Sequence, residues 1–228
     1  MNVKDKEIQI IPIPLGMVNV YAVKGDSVIL VDAGHKQHSG KILKALSGYG
    51  IRPEDVSLII ITHGHVDHIG GLPELKARTR AKVLIHSSDR YAIEEGRNVP
   101  IPSDKAFFRF LMGLIASDRI AGFGNIPADI IVNGEYPLND YGINATVIPV
   151  PGHTDGSICV KIGDEIIAGD AVFPTWGFKL FKSVLPKENF RNICNGIRKI
   201  LSLSPVKIYP GHGDAMDCEM LESLLSYE

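Results

Sequence analysis

Leu58-Ile59-Ile60-Ile61-Thr62-His63-Gly64-His65-Val66-Asp67-His68 runs from four consecutive apolar residues straight into three histidines and an aspartate. A short, β-branched apolar run of this kind marks a strand. Three imidazoles and a carboxylate within six residues are costly neighbours. They repel when protonated and need hydrogen bonds when buried. A divalent cation removes both costs, because neutral imidazole nitrogen and carboxylate oxygen are natural ligands for zinc, and also for iron or manganese. With residues taken as independent, the pattern H-x-H-x-D-H has a chance on the order of one in a thousand in such a chain, so the spacing carries information. His63 and His65, two apart at a strand end, can point to the same side. Asp67 and His68, in the next bend, can serve a second ion a few ångströms away.

Outward from this stretch the same arrangement recurs. His153 sits in Pro151-Gly152-His153-Thr154 after a strand ending at Val150, and Asp170 sits in Gly169-Asp170-Ala171 after one ending at Ala168. His212 sits in Pro210-Gly211-His212-Gly213 after a strand ending at Tyr209, and Asp32 in Asp32-Ala33-Gly34 after one ending at Val31. Each polar residue lies just past an apolar strand and beside glycine, where a tight turn can bring it to one edge of a sheet. For Asp32 a hydrogen bond to the histidine loop is favoured over direct ligation.

Strands are expected near 7–12, 18–23, 27–31, 57–61 and 82–85, then 143–150, 157–162, 165–168 and 206–209. Helices are expected after Ser39, over 69–78, 89–95, 187–201 and 217–226. The helix over 187–201 is strongly amphipathic, with Phe190, Ile193, Ile197 and Ile200 at helical spacing behind Pro186. Strands and helices in both halves imply an α/β fold of two packed sheets with helices outside. The whole chain, 1–228, reads as a single domain, with an insert at about 96–133 that breaks the rhythm. There Phe107, Phe108, Phe110, Leu111, Met112, Leu114 and Ile115 are apolar on more than one helical face. A helix packed on the core or on a dimer partner, a lid over a substrate pocket, and a membrane-surface helix are the three readings of it.

Composition excludes several classes. In 228 residues, 24 Lys and Arg face 26 Asp and Glu, for a net charge of −2, so neither a nucleic-acid backbone nor an anionic membrane is the default partner. No run of about 18 apolar residues exists to span a membrane, and the mixed-charge opening Lys4-Asp5-Lys6-Glu7 is unlike a signal peptide. Cys159, Cys194 and Cys218 have no close-pair spacing, which points to neither a disulfide framework nor a thiolate metal site. A cytoplasmic protein is expected.

The H-x-H-x-D-H motif, followed in order by Gly-His-Thr, Gly-Asp and Gly-His-Gly, resembles the metallo-β-lactamase fold superfamily over nearly the whole chain. The resemblance implies a four-layer αβ/βα sandwich with two metal ions at one edge. His63, His65 and His153 would bind the first ion, Asp67, His68 and His212 the second, and Asp170 would bridge them. Two ions so placed can hold a hydroxide between them and polarise an ester, thioester, lactone or amide carbonyl. Asp67 is expected to orient that nucleophile and shuttle its proton. The cofactors expected are two divalent ions, zinc first, and the partner a small acyl substrate.

Within the superfamily, Asp170 resembles the bridging aspartate of the glyoxalase-II-like and lactonase-like branches rather than the Cys or His usual in the β-lactamases themselves. Lactonases of this kind carry a tyrosine three residues after that aspartate, where this chain has Phe173. Glyoxalase II places a glutathione-binding Gly-Lys nearby. Here Lys179 falls at a comparable spacing with Phe178 between it and Gly177, and a solvated surface lysine is the competing reading. A persulfide-dioxygenase-like enzyme with one iron, and a phosphodiesterase or nuclease of the same fold, are the alternatives. Trp176 is placed in the loop after Asp170, lining the pocket or simply packing. His35, His38 and His86 read as surface or capping residues, with His35 close enough to Asp32 to approach the site.

Overall fold

The apolar run that precedes the histidines is buried on both sides because it lies between two layers. In the computed structural model, which describes residues 8–107 and 123–228, it forms β4 (Val56–Ile60). Leu58 and Ile60 point into the core between two sheets, while Ile59 and Ile61 point into the core beneath the helices. Alternate side chains of a strand take opposite faces, so four successive apolar residues satisfy both cores.

β4 belongs to a six-stranded sheet in the order β1 (Gln9–Pro14), β2 (Asn19–Lys24), β3 (Val28–Val31), β4, β5 (Lys82–His86) and β6 (Ile130–Val132). Pairing is antiparallel through β3 and parallel from β3 to β6. The second sheet runs β11 (Lys207–Pro210), β10 (Glu165–Gly169), β9 (Ile158–Ile162), β8 (Ala145–Pro149) and β7 (Tyr136–Pro137), with only β10 and β11 parallel. On the outer side of the first sheet lie α1 (Ser39–Gly48), α2 (Val66–Ile69), α3 (Leu72–Thr79) and α4 (Arg90–Glu94). The second is covered by α5 (Thr175–Val184), α6 (Lys187–Ser202) and α7 (Cys218–Leu225). The four-layer αβ/βα sandwich expected from the sequence is the fold observed.

Burial explains the helices. α6 sinks Phe190, Ile193, Ile197 and Ile200 into the second sheet's outer core, each worth about 1.5–3 kcal/mol relative to exposure. α7 starts at Asp217, whose carboxylate accepts from Met220 N at 2.8 Å. Three elements were not expected: the short strands β6 and β7, and α5. Trp176 is not in a loop but in the first turn of α5, a helix hidden in the sequence by Gly177 in its interior and by prolines on both flanks. Phe178 anchors it, fully buried against Phe190. The segment expected as an insert is described at its ends, where Phe107 is exposed and Phe123 buried. Its Phe-, Leu- and Met-rich centre, 108–122, lies outside the described residues.

Three contacts fasten the sheets together at one edge. Tyr21 Oη donates to Pro210 O (2.6 Å), Asn19 N to Gly211 O (2.8 Å) and Ile158 N to Thr62 O (2.9 Å). The end of β11 and the loop after it are thereby held to β2, and the loop after β4 to β9. Among the described residues, no helix is long and apolar enough to cross a membrane.

Candidate metal centre

His63 lies in the bend after β4 and His65 is extended at the start of α2, so Asp67 and His68 project from a helical turn. His153 follows β8, Asp170 follows β10 and His212 follows β11. All seven residues named from the sequence come to the same edge.

Two groups of donor atoms form there. His65 Nδ1 lies 3.0 Å from His63 Nε2 and 2.8 Å from His153 Nε2. Around the second group, His212 Nε2 lies 3.3 Å from Asp67 Oδ2, and His68 Nε2 lies 3.8 Å from the same oxygen. Asp170 stands between them. Its Oδ2 is 3.8 Å from His63 Nε2, 3.6 Å from His153 Nε2 and 3.2 Å from His212 Nε2, and its Oδ1 is 3.3 Å from His68 Nε2. Gly211 permits this approach, since a Cβ there would overlap Asp170 Oδ1 and sit 2.8 Å from the His68 ring.

The outward nitrogens fix which way the lone pairs face. His68 Nδ1 donates to Asp32 Oδ2 (2.8 Å), and His212 Nδ1 donates to the carbonyl of Met17 (2.6 Å). Thr62 Oγ1 spends its proton on Asp32 Oδ2 (2.8 Å), so at 3.0 Å from His63 Nδ1 it accepts. His63, His68 and His212 therefore turn unprotonated Nε2 atoms to the centre when neutral. Asp32 lies behind the histidines rather than among the inward donors, as its sequence position implied.

Burial pushes His63 and His65 down, and takes His153 to about 3, with neighbouring imidazoles adding to the effect in His63 and His153. At His68 and His212 burial acts the same way but is outweighed by the carboxylates. His68 stands well above its usual value because of Asp170, Asp32 and Asp67, and His212 is raised to about 10 by Asp170 and Asp67. Burial raises Asp67 and Asp170, yet the facing histidines hold both well below the usual carboxylate range.

The residues fit a divalent cation. At the centre, His68 Nε2 and Asp170 Oδ1 are buried with no hydrogen-bond partner, an expense of about 1–3 kcal/mol for each such atom, and they face each other. Three sets, His63/His65/His153, His63/His68/Asp170 and Asp67/His68/His212, each bring their donor atoms within 4.8 Å of one another.

Above the centre opens a cavity of about 330 Å³ with walls of Phe173, Trp176, Leu180 and Phe181 and a floor that includes His65, Asp67, His153, Asp170 and His212. Phe173 and Trp176 line it. Lys179 does not: it faces a neighbouring groove, with Nζ 4.5 Å over the ring of Tyr227.

Sequence reasoning missed Asn98 and Asp89, and gave His35 chiefly as a surface histidine able to approach the site. His35, set aside with the surface histidines, lines the cavity, as does Asn98, whose Oδ1 accepts from Val66 N at 2.9 Å. Asp89, read only as a helix start, is buried and ties two site loops together, accepting from Gly64 N (2.8 Å), Thr154 Oγ1 (2.8 Å) and Gly156 N (3.1 Å). It too follows a strand, β5, but Ser88 and Arg90 flank it and no glycine does, so the pattern that flagged Asp32 and Asp170 passes it over.

Comparison with known proteins gives concordant results. The family model of the metallo-beta-lactamase superfamily matches residues 13–212. A probable metallo-hydrolase of Methanocaldococcus jannaschii is 31% identical over 208 residues, covering 87% of this chain and 89% of its own. A hydroxyacylglutathione hydrolase of Shewanella halifaxensis is 32% identical over 124 residues, 54% of this chain and 36% of its own. Among solved structures, the subclass B3 metallo-beta-lactamase BJP-1 of Bradyrhizobium japonicum superposes with a TM-score of 0.67 at 20% identity, covering 96% of this chain and 88% of that one. At that identity the likeness concerns the fold.

Proposed function

The chain belongs to the metallo-beta-lactamase superfamily, and from that premise we propose that it is a metal-dependent hydrolase that cleaves a small ester, thioester or lactone with two bound divalent ions. The observation that carries this reading is the pair of donor groups joined by Asp170 at the floor of one cavity. His63, His65 and His153 would hold one ion, Asp67, His68 and His212 the other, and Asp170 both, with zinc the ion best suited to this nitrogen-rich set. When bound, such ions supply Lewis acidity toward a carbonyl oxygen and make water acidic enough to serve as a nucleophile near neutral pH.

The chain's own residues do the rest. Asp67, a carboxylate at the cavity floor, accepts a hydrogen bond from the attacking water and takes up its proton at a carboxylate oxygen. Asn98, its Oδ1 already engaged by Val66 N, lines the cavity and keeps its amide N–H groups as donors available to a substrate oxygen. Phe173 and Phe181 pack against the His153 ring at 5.1 and 5.7 Å between ring centroids and keep water from that side of the centre. A thioester within the substrate class is supported by the Shewanella relative, which is named for hydrolysis of one. The three cysteines are free, two of them buried, which supports a cytoplasmic setting.

Metal content of the protein purified without added metal, combined with hydrolysis assays over thioesters, lactones, phosphodiesters and β-lactams, tests the proposal. About two ions per chain with turnover of a carboxylic ester, thioester or lactone is expected. Fewer than about one ion with no turnover in any class sinks it.

A further inference from the structure

Resting on the hydrolase reading above, we infer that the substrate carries an uncharged, apolar acyl chain, and that the wall formed by Phe173 with Trp176, Leu180 and Phe181 of α5 selects it. Single exposed apolar side chains are ordinary, but Met17, Trp176 and Leu180 are 76%, 60% and 43% exposed around one cavity mouth. A cluster of that kind marks a place where apolar matter lands.

Charge separates the candidates. No lysine or arginine stands among the described residues that line the cavity. α5 does carry two lysines, but on another face. Lys179 Nζ lies over the ring of Tyr227, and Lys182 Nζ donates to the Tyr227 carbonyl, so both cations are held by the last turn of the chain. A glutathione thioester brings two carboxylates, which would enter beside Phe173, Leu180 and Phe181 with no counter-charge from this wall. The cavity's volume, about 330 Å³, is at the small end of ligand pockets, about 300–1,000 Å³, and suits a short chain. The cavity thus has a polar floor for the carbonyl and an apolar wall for what is attached to it.

Trp176 is the only tryptophan, so its emission reports directly on this wall. The metal-loaded full chain is titrated with 2-alkanones of four to ten carbons, carbonyl compounds that cannot be hydrolysed, and separately with S-methylglutathione. Expected are a blue shift of Trp176 and an affinity rising about fourfold per methylene until the cavity is full, with no shift from S-methylglutathione. Leu180→Lys, at a half-exposed position that leaves the core intact, should weaken the longest alkanone at least about tenfold while the circular dichroism stays unchanged. A flat chain-length response, or tighter binding of S-methylglutathione than of 2-octanone, overturns the inference. So does a ligand-free blue shift that grows with protein concentration alongside a dimer in sedimentation, since the wall is then an interface. Turnover of octanoyl esters and of glutathione thioesters, measured in parallel, separates the two readings. Chain-length selectivity without any turnover retains the wall and sinks the hydrolase, whereas turnover confined to the glutathione thioesters does the reverse.

Discussion

Asp32 Oδ2 lies 2.8 Å from His68 Nδ1, and the same oxygen governs His63 through the hydroxyl of Thr62. Its other oxygen accepts from Thr62 N at 2.8 Å. One buried carboxylate thus orients two of the imidazoles proposed to hold metal, one from each group. It does so from a left-handed backbone position, φ 68°, which asparagine tolerates better than other replacements. Asp32→Asn should therefore keep the fold but replace an acceptor with an amide N–H that cannot serve both His68 and Thr62. Metal affinity is expected to fall about 10- to 100-fold, read by competition with a chromophoric chelator. Unaltered affinity would refute this role for Asp32.

Asp67 is the carboxylate with the most solvent contact at the centre, 25% exposed at its side chain, and His212 Nε2 is 3.3 Å from its Oδ2. An amide in its place removes the charge and the proton acceptor but keeps the shape. Asp67→Asn should show an unchanged circular dichroism spectrum and a kcat lower by about a hundredfold or more. Retention of turnover would remove Asp67 from the proton path.

Much of this was legible in the sequence for a simple reason. Polar residues that follow an apolar strand and sit beside glycine have few structural duties, so His63, His65, His153, Asp170 and His212 stood out. Two packed sheets with helices outside could be read from the strands and helices of both halves, and the four-layer order from the resemblance that the histidine motifs carry. What stayed hidden depends on partners far away in the chain. Asp89 is an unremarkable aspartate before a helix until β9 brings Gly156 beside it. α5 carries Gly177 where a helix interior prefers a side chain, and the reason, Phe173 Cβ 3.3 Å from where a Cβ would stand, exists only in the folded chain. The separation of Lys179 from the cavity is likewise a matter of helical phase, set by how Phe178 docks.

Asp89 is buried, and burial pushes its carboxyl up even though it accepts three hydrogen bonds. Asp89→Ala leaves the donors of Gly64, Thr154 and Gly156 unpaired between two loops of the centre. A loss of about 2–5 kcal/mol is expected, seen as a melting temperature lower by on the order of 10 °C. Gly156→Ala should act in the same direction, because its Cβ would lie 2.5 Å from Asp89 Cγ. A melting temperature unchanged in both variants would show that the two loops are held by other contacts.

The stability of the protein stripped of metal by a chelator should pass through a maximum near pH 6.5, since the two groups of histidines pull in opposite directions. His153 keeps no proton in the fold until about pH 3, whereas in the unfolded chain it takes one up near 6.5. Between these values the unfolded state binds more protons, so stability falls as the pH drops below 6.5. His63 and His65, also lowered, add to that limb. His212 is raised to about 10, so its contribution is complete below 6.5 and is lost as the pH rises toward 10. His68 is raised as well and acts in the same sense. Bound metal needs the lone pairs that these two protons occupy, so zinc should raise the melting temperature more at pH 8.5 than at pH 5.5. Thermal melts from pH 4.5 to 9.5, with and without zinc, measure both effects. A melting temperature of the stripped protein that climbs steadily to pH 9.5 would contradict the charge arrangement assigned to Asp67, His68, Asp170 and His212.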